Sequence, residues 1–270
     1  MEIGIAGWAL NRSILRDKTM TLLDFPRLAG EEFGVGTIEL VSTFFESQGA
    51  AYLNQLREEI AKHRLRVANI AVDTGTLATA DPAARRTDLE AIKQWFHVAR
   101  AVGAEAIRVN TGPAEPSDRT ALARVIDGYR ELAEHAEQSR VKLLIENHGG
   151  VSSEPQHIAR ILEGLPSPWF GTCPDVNNFV GDTWEEGMRV MAPRAAAVHV
   201  KNHGYDPSGV QSFTGRDGTP RRFDLKRSLA ILKEAGYGGP LNFEYNHVEP
   251  DEREGIRKGI AYTRELLAAL

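Results

Sequence analysis

The chain has 270 residues, 42% hydrophobic and 26% charged, with a formal net charge of −5. That balance belongs to a folded globular protein and excludes disordered, collagen-like and disulfide-framework chains. The acid excess disfavours nucleic acid as a partner, and the single cysteine, Cys173, permits neither an intrachain disulfide nor a cysteine-based zinc site.

The chain opens on Ile3–Gly7, a short apolar run that predicts a strand. It lacks the basic region of a signal peptide, and no later run approaches the ~20 apolar residues of a membrane span. A soluble protein of the reducing cytoplasm, with no membrane partner, is therefore expected. Thr37–Val41 predicts the second strand. Tyr52, Leu53, Leu56 and Ile60 then share one helical face, and Arg66–Val72 predicts the third strand. Asp81 followed by Pro82 reads as a helix N-cap with proline in the first turn. Leu89, Ile92, Trp95, Phe96 and Ala99 continue that helix to Gly103, a stop signal. Strands follow at Ala106–Asn110, Lys142–Asn147, Trp169–Asp175 and Ala195–Lys201, with Gly164 as a further helix stop. Asn202–Arg222 is rich in Gly, Pro, Ser and Asp and reads as a long functional loop. Helices over Phe223–Ala235 and Glu254–Leu267, with a stop at Gly236, flank a last strand over Pro240–Tyr245.

The strand runs are continuous rather than alternating, as in parallel strands covered on both faces. Eight strands in strict alternation with helices predict an α/β fold, a (β/α)₈ TIM barrel, as one domain over residues 1–270. A doubly wound open sheet is disfavoured, because no Gly-x-Gly-x-x-Gly follows the first strand.

Barrel chemistry gathers at the C-terminal ends of the strands. Glu146, Asp175, His199 and Glu244 lie in or at the ends of predicted strands five to eight, which are neighbours around the barrel. Burying three carboxylates together is unfavourable without a compensating cation. Three oxygens and one imidazole suit one divalent metal ion, Mn²⁺ or Mg²⁺ before Zn²⁺ or Co²⁺. Taken singly, each residue is as well explained by a cap, an ion pair or a core hydrogen bond; the set is what points to a metal.

The runs Leu-Leu-Ile-Glu-Asn-His-Gly-Gly, Cys-Pro-Asp-Val-Asn-Asn-Phe, Val-His-Val-Lys and Asn-Phe-Glu-Tyr resemble the strand-end motifs of the sugar phosphate isomerase/epimerase family, the xylose-isomerase-like TIM barrel superfamily. Leu232 to Leu241, leading into the last strand, resembles it too. The resemblance implies that Glu146, Asp175, His199 and Glu244 are metal ligands. It implies that Glu146 and Glu244 also form the proton-transfer pair. Where many epimerases of the family place a histidine three residues after the strand-six aspartate, this chain has Asn178, which cannot titrate and is assigned to substrate binding. The implied activity is a metal-dependent isomerisation or epimerisation of a ketose or related carbohydrate through an enediolate. A lyase or dehydratase acting on a keto-sugar or inosose is the alternative. A non-catalytic sugar-binding barrel is less expected, and so is an endonuclease IV-like enzyme, since Asn69 and Asn110 stand where extra zinc-ligating histidines would be needed.

Further substrate-binding candidates are Lys201, which shares a strand face with His199, and His148, Glu39 and Trp8. Lys201 is read either as a partner of the enediolate or as an ion-pair partner of a barrel carboxylate. Glu39 is read as pairing with an Arg, a Lys or a substrate hydroxyl. His203 and His247 read as rim residues. Arg216, Arg221 and Arg222 lie where barrel phosphate sites often occur, but no glycine-rich cradle supports a phosphorylated substrate. A homo-oligomer is expected on general grounds.

Overall fold

The chain begins with strand β1 (Glu2–Ala6), a short helical turn α1 (Phe25–Arg27) and β2 (Thr37–Val41). Next come α2 (Ala50–Lys62), β3 (Arg66–Val72), α3 (Pro82–Val102), β4 (Ala106–Val109), α4 (Arg119–Ser139) and β5 (Lys142–Ile145). They are followed by α5 (Pro155–Gly164), β6 (Phe170–Thr172), α6 (Trp184–Met191), β7 (Val198–Val200), β8 (Val210–Thr214) and β9 (Pro220–Asp224). The last elements are α7 (Leu225–Glu234), β10 (Pro240–Phe243) and α8 (Glu252–Ala268). This is a computed structural model, and it describes residues 1–179, 181–215 and 218–270.

Among the described residues, eight parallel strands run in the order β6-β5-β4-β3-β2-β1-β10-β7. The seam between β6 and β7 closes through the parallel bridges Thr172–Ala195 and Asp175–His199. There the amides of Ala196 and His199 donate to the carbonyls of Thr172 and Pro174, each at 3.0 Å. The sheet is thus a closed (β/α)₈ barrel. The regular ladders on either side of the seam are shorter than the predicted Trp169–Asp175 and Ala195–Lys201 runs, and Pro174 has no N–H to extend one.

The helix signals act as read, with two corrections. Asp81 caps α3 by accepting from the Ala84 amide at 2.7 Å, and Gly103 ends it in the left-handed region at φ 79°. Gly236 does the same after α7, at φ 78°. Gly164, read as a stop, is instead the last residue of α5, with Leu165 as the C-cap. The helix predicted from Phe223 starts at Leu225, because Asp224 accepts from the Arg227 amide at 2.8 Å and fixes the N-cap there. Phe223 belongs to a hairpin that the sequence did not announce. β8 and β9 pair antiparallel within what reads as a loop, and carry Phe213 and Arg221 over the barrel mouth.

Alternation along each strand splits the interior into two environments. Ile38 and Leu40 belong to the large apolar core shared with the helices. Glu39 stands between them in β2 and is fully buried, alongside Asn69, Arg108, His199 and Asn242. Beneath this polar layer lies a small apolar cluster of Ala106, Leu144, Cys173 and Ala197. α8 seats closely on β10 because Gly259 faces the Phe243 ring with no side chain between them.

Candidate active site at the barrel mouth

A cavity of about 600 Å³ opens at the C-terminal ends of the strands. Its wall includes Trp8, Asp73, Arg108, His148, Asn178, Lys201 and Glu244. His199 lies just below it. The imidazole Nδ1 is 3.2 Å from Glu146 Oε1, 3.5 Å from Glu244 Oε1 and 3.8 Å from Asp175 Oδ2. One ligand atom each from Glu146, Asp175 and His199 falls within 4.8 Å of the others. Three of the four expected metal ligands therefore converge tightly, and Glu244 adjoins them through His199.

Each group is positioned by a partner. Asn147, just after β5, holds Asp175, just after the neighbouring β6: its amide donates to the Asp175 carbonyl at 2.9 Å, and its Oδ1 accepts from the Asp175 N–H at 2.7 Å. Arg108 Nε is 2.9 Å from Glu146 Oε2, and its Nη1 is 2.8 Å from Asp73 Oδ1. Lys201 Nζ lies 2.7 Å from Asp175 Oδ2 and 2.8 Å from Glu244 Oε2. Asn178 Nδ2 donates to Glu146 Oε1 at 3.1 Å. Of the two sequence readings of Lys201, the ion pair to barrel carboxylates is the one present.

Glu39, read as pairing with an Arg, a Lys or a substrate hydroxyl, is fully buried and does not line the cavity. Its Oε2 accepts from Asn69 Nδ2 at 2.8 Å and lies 2.8 Å from His199 Nε2. The other candidates sit at the rim. Trp8 is 37% exposed and stacks on Phe44, with ring centroids 5.9 Å apart. His148 lines the cavity wall, its backbone N–H donating to Ser152 Oγ. His203 also lines the cavity, its ring flat on Phe213 at 3.7 Å. His247 stands against Tyr245 instead. Arg221 reaches the cavity from β9, Arg222 lines a neighbouring one, and Arg216 lies outside the described residues. Sequence reading gave no role to Arg108 or Asp73. The available signal was the one that revealed Glu39, a charge inside or just after an otherwise apolar strand.

The electrostatics suit a cation. Burial opposes ionisation of Glu146, but Arg108 overrides it, with His148 and His199 adding, and holds the carboxyl well below its ordinary range. Burial likewise opposes ionisation of Glu244, and Lys201 outweighs it. Asp175 is pushed up, by burial first and then by Glu146 and Glu244, in spite of Lys201. Burial disfavours charge on His199. Cys173 attracts that charge only as a thiolate, and burial pushes the thiol up to about 11. The surrounding carboxylates of Glu39, Glu244 and Glu146 outweigh burial and raise the imidazole well above its ordinary value. Glu146 Oε2 and Asp175 Oδ2 face cations at ion-pair distance, yet accept no directed hydrogen bond among the described residues. Buried oxygens with open lone pairs around an imidazole fit a hard divalent ion.

A family model described as xylose isomerase-like TIM barrel matches residues 28–266. The chain belongs to that family. This xylose isomerase-like barrel is also similar to solved structures along its whole length. A D-tagatose 3-epimerase-like protein is 17% identical with a TM-score of 0.76, covering 100% of this chain and 98% of the other. A 3-keto-D-glucoside 4-epimerase from E. coli is 15% identical with a TM-score of 0.75, covering 98% and 99%. A xylose isomerase-like TIM barrel protein from Mycobacterium smegmatis, solved in complex with magnesium, is 16% identical with a TM-score of 0.71, covering 100% and 97%. At these identities the likeness concerns the fold. No curated protein matches the chain in sequence comparison. Among the described residues, no helix is long and apolar enough to cross a membrane.

Proposed function

We propose that this barrel is a divalent-metal-dependent isomerase or epimerase of a ketose or related carbohydrate, acting as one domain over residues 1–270. The observation that carries the reading is the convergence of Glu146, Asp175 and His199, with Glu244 beside them, under an open polar cavity. Glu146, Asp175, Glu244 and His199 Nδ1 would hold the ion, with Mn²⁺ or Mg²⁺ favoured by three oxygen donors. The epimerases among the similar structures, and the magnesium complex, support the same reading.

When bound, the cation supplies polarisation of a substrate carbonyl and neutralisation of the oxyanion. The chain's own residues move the proton. A carboxylate removes the proton from the carbon next to the carbonyl, and the electron pair shifts to the carbonyl oxygen to give an enediolate. Glu244 lines the cavity, whereas Glu146 lies behind it, 1% exposed. Glu244 therefore meets the substrate C–H first, and Glu146 is the second partner of the pair, which must carry a proton in order to deliver it to the opposite face. Return of the proton to the opposite face of the same carbon is epimerisation; return to the neighbouring carbon is isomerisation. Asn178 and Arg108 orient Glu146, and His148 and Trp8 offer a hydrogen-bonding group and a ring face at the rim.

The test is solvent deuterium incorporation into D-tagatose, D-psicose and D-fructose with Mn²⁺-loaded protein, followed by NMR. Exchange that disappears in Glu244→Gln supports the assignment. Undiminished exchange in that variant removes Glu244 as the base, and a product that has lost water would place the chain among lyases.

A further inference from the structure

Lys201 Nζ bridges the two carboxylates that the proposed ion also needs. It is 2.7 Å from Asp175 Oδ2 and 2.8 Å from Glu244 Oε2, while Asp175 Oδ2 and Glu244 Oε1 both lie within 4 Å of His199 Nδ1. Four carboxylates, Asp73, Glu146, Asp175 and Glu244, surround two permanent cations here, Arg108 and Lys201, while Glu39 faces His199. Lacking a further cation, the cluster has a strong need for the ammonium. With a dication in place, the same ammonium meets like charge at a few ångströms, and part of its attraction is cancelled. The two cations of the cluster differ in their freedom. Arg108 is pinned at both ends, by Glu146 and Asp73. Lys201 borders the open cavity, its side chain 12% exposed, and a lysine stem has four rotatable carbons along which to move.

We propose that Lys201 is a built-in counter-cation that a divalent metal displaces, releasing its ammonium into the cavity and unmasking Glu244 Oε2. This rests on the metal-site reading above. It adds that metal binding, besides supplying a Lewis acid, frees the oxygen of Glu244 that the metal-free protein keeps covered. The carboxylate then turns to the substrate at the moment the site is competent to stabilise the enediolate. The released ammonium stands over the same cavity, within reach of a substrate oxygen.

The experiment uses the full chain stripped with chelator and then titrated with Mn²⁺. Acetylation of Lys201 by an N-hydroxysuccinimide ester is followed by peptide mass spectrometry. The expected result is slow labelling in metal-free protein and labelling faster by about tenfold or more at saturating Mn²⁺, as the ion pair of a desolvated lysine is broken. Equal labelling with and without bound Mn²⁺ overturns the proposal. In parallel, Lys201→Met is expected to bind Mn²⁺ on the order of tenfold more tightly by calorimetry, because a competing charge at close range is gone. Lys201→Arg keeps the competition and stays near wild type. Weaker binding by Lys201→Met would mean that the lysine supports the ion rather than competing with it, again overturning the idea. Failure of the wild-type protein to take up Mn²⁺ at all is a separate outcome, which removes the metal-site reading and this inference together. The labelling arm needs no variant, so it stands even where Lys201→Met does not fold.

Discussion

Glu39 Oε2 and His199 Nε2 lie 2.8 Å apart, both sealed from solvent, while the other face of the imidazole looks up at Glu146, Asp175 and Glu244. The pair fixes which nitrogen is available above. A histidine whose far nitrogen is tied to a carboxylate has one orientation and a more basic free nitrogen, the arrangement that carboxylate–histidine–metal triads use. Replacing Glu39 by Gln keeps the shape and removes the charge. Mn²⁺ affinity is expected to fall about 10- to 100-fold, the usual cost of losing such a partner. Calorimetric titration of the chelator-treated variant checks it; unchanged affinity would show that Glu39 serves the core alone.

Arg108 joins Asp73 to Glu146 inside the barrel at 4% exposure. Removing one member of a buried pair leaves the other charged and unpaired, a loss of about 3–5 kcal/mol in typical cases. Arg108→Met should lower the urea midpoint by that scale and abolish turnover. Arg108→Met together with Glu146→Gln should recover a good part of the stability but none of the activity. A double variant as unstable as the single one would contradict the pairing.

His203 gives stability a pH dependence with a definite sign. Burial first, and Lys201 second, push its imidazole down to about 4. Above the ordinary histidine range, folded and unfolded chains both hold it neutral and it contributes nothing. As pH falls from about 6.5 toward 4, the unfolded chain takes up a proton that the folded one refuses, and stability declines. His203→Gln should therefore flatten the dependence of the melting temperature on pH between about 4 and 6.5, a window set by the shifted and ordinary values. A steeper slope in the variant would reverse the assignment.

Metal removal should act on stability as well as on turnover. A ligand that binds only the folded state adds about 2.7 kcal/mol when present at 100 times its Kd. Differential scanning calorimetry with Mn²⁺ and then with excess chelator should show a reversible rise of several degrees in wild type. The rise should be absent in Asp175→Asn, which loses one of the converging oxygens. Equal rises in both proteins would place the ion elsewhere.

Gly259 lets α8 close on the Phe243 ring of β10, the strand that delivers Glu244. An added methyl there has no room, and overpacking of a filled core costs typically about 1–3 kcal/mol. Gly259→Ala is expected to lower the denaturation midpoint accordingly. A variant as stable as wild type would mean that α8 slides without resistance.

Local chemistry in the sequence specified most of the barrel. Unbroken apolar runs set the eight strands, the Asp81 and Gly103 signals bounded α3, and charges stranded in apolar runs marked Glu146, Asp175, His199 and Glu244. Those signals lie within a few residues of one another, so no long-range contact is needed to see them. The hairpin β8–β9 was not legible, because its stability comes from pairing across a turn and from Phe213 stacking on His203 rather than from apolar periodicity. Nor could the chain order reveal that Glu39 would turn to His199, 160 residues away, or that Lys201 would bridge Asp175 and Glu244. Residue types fix which charges exist and which side of a strand they occupy. Which charge meets which is decided only when the barrel closes, since burial leaves each charge to find its partner among whatever neighbours the curvature brings within reach.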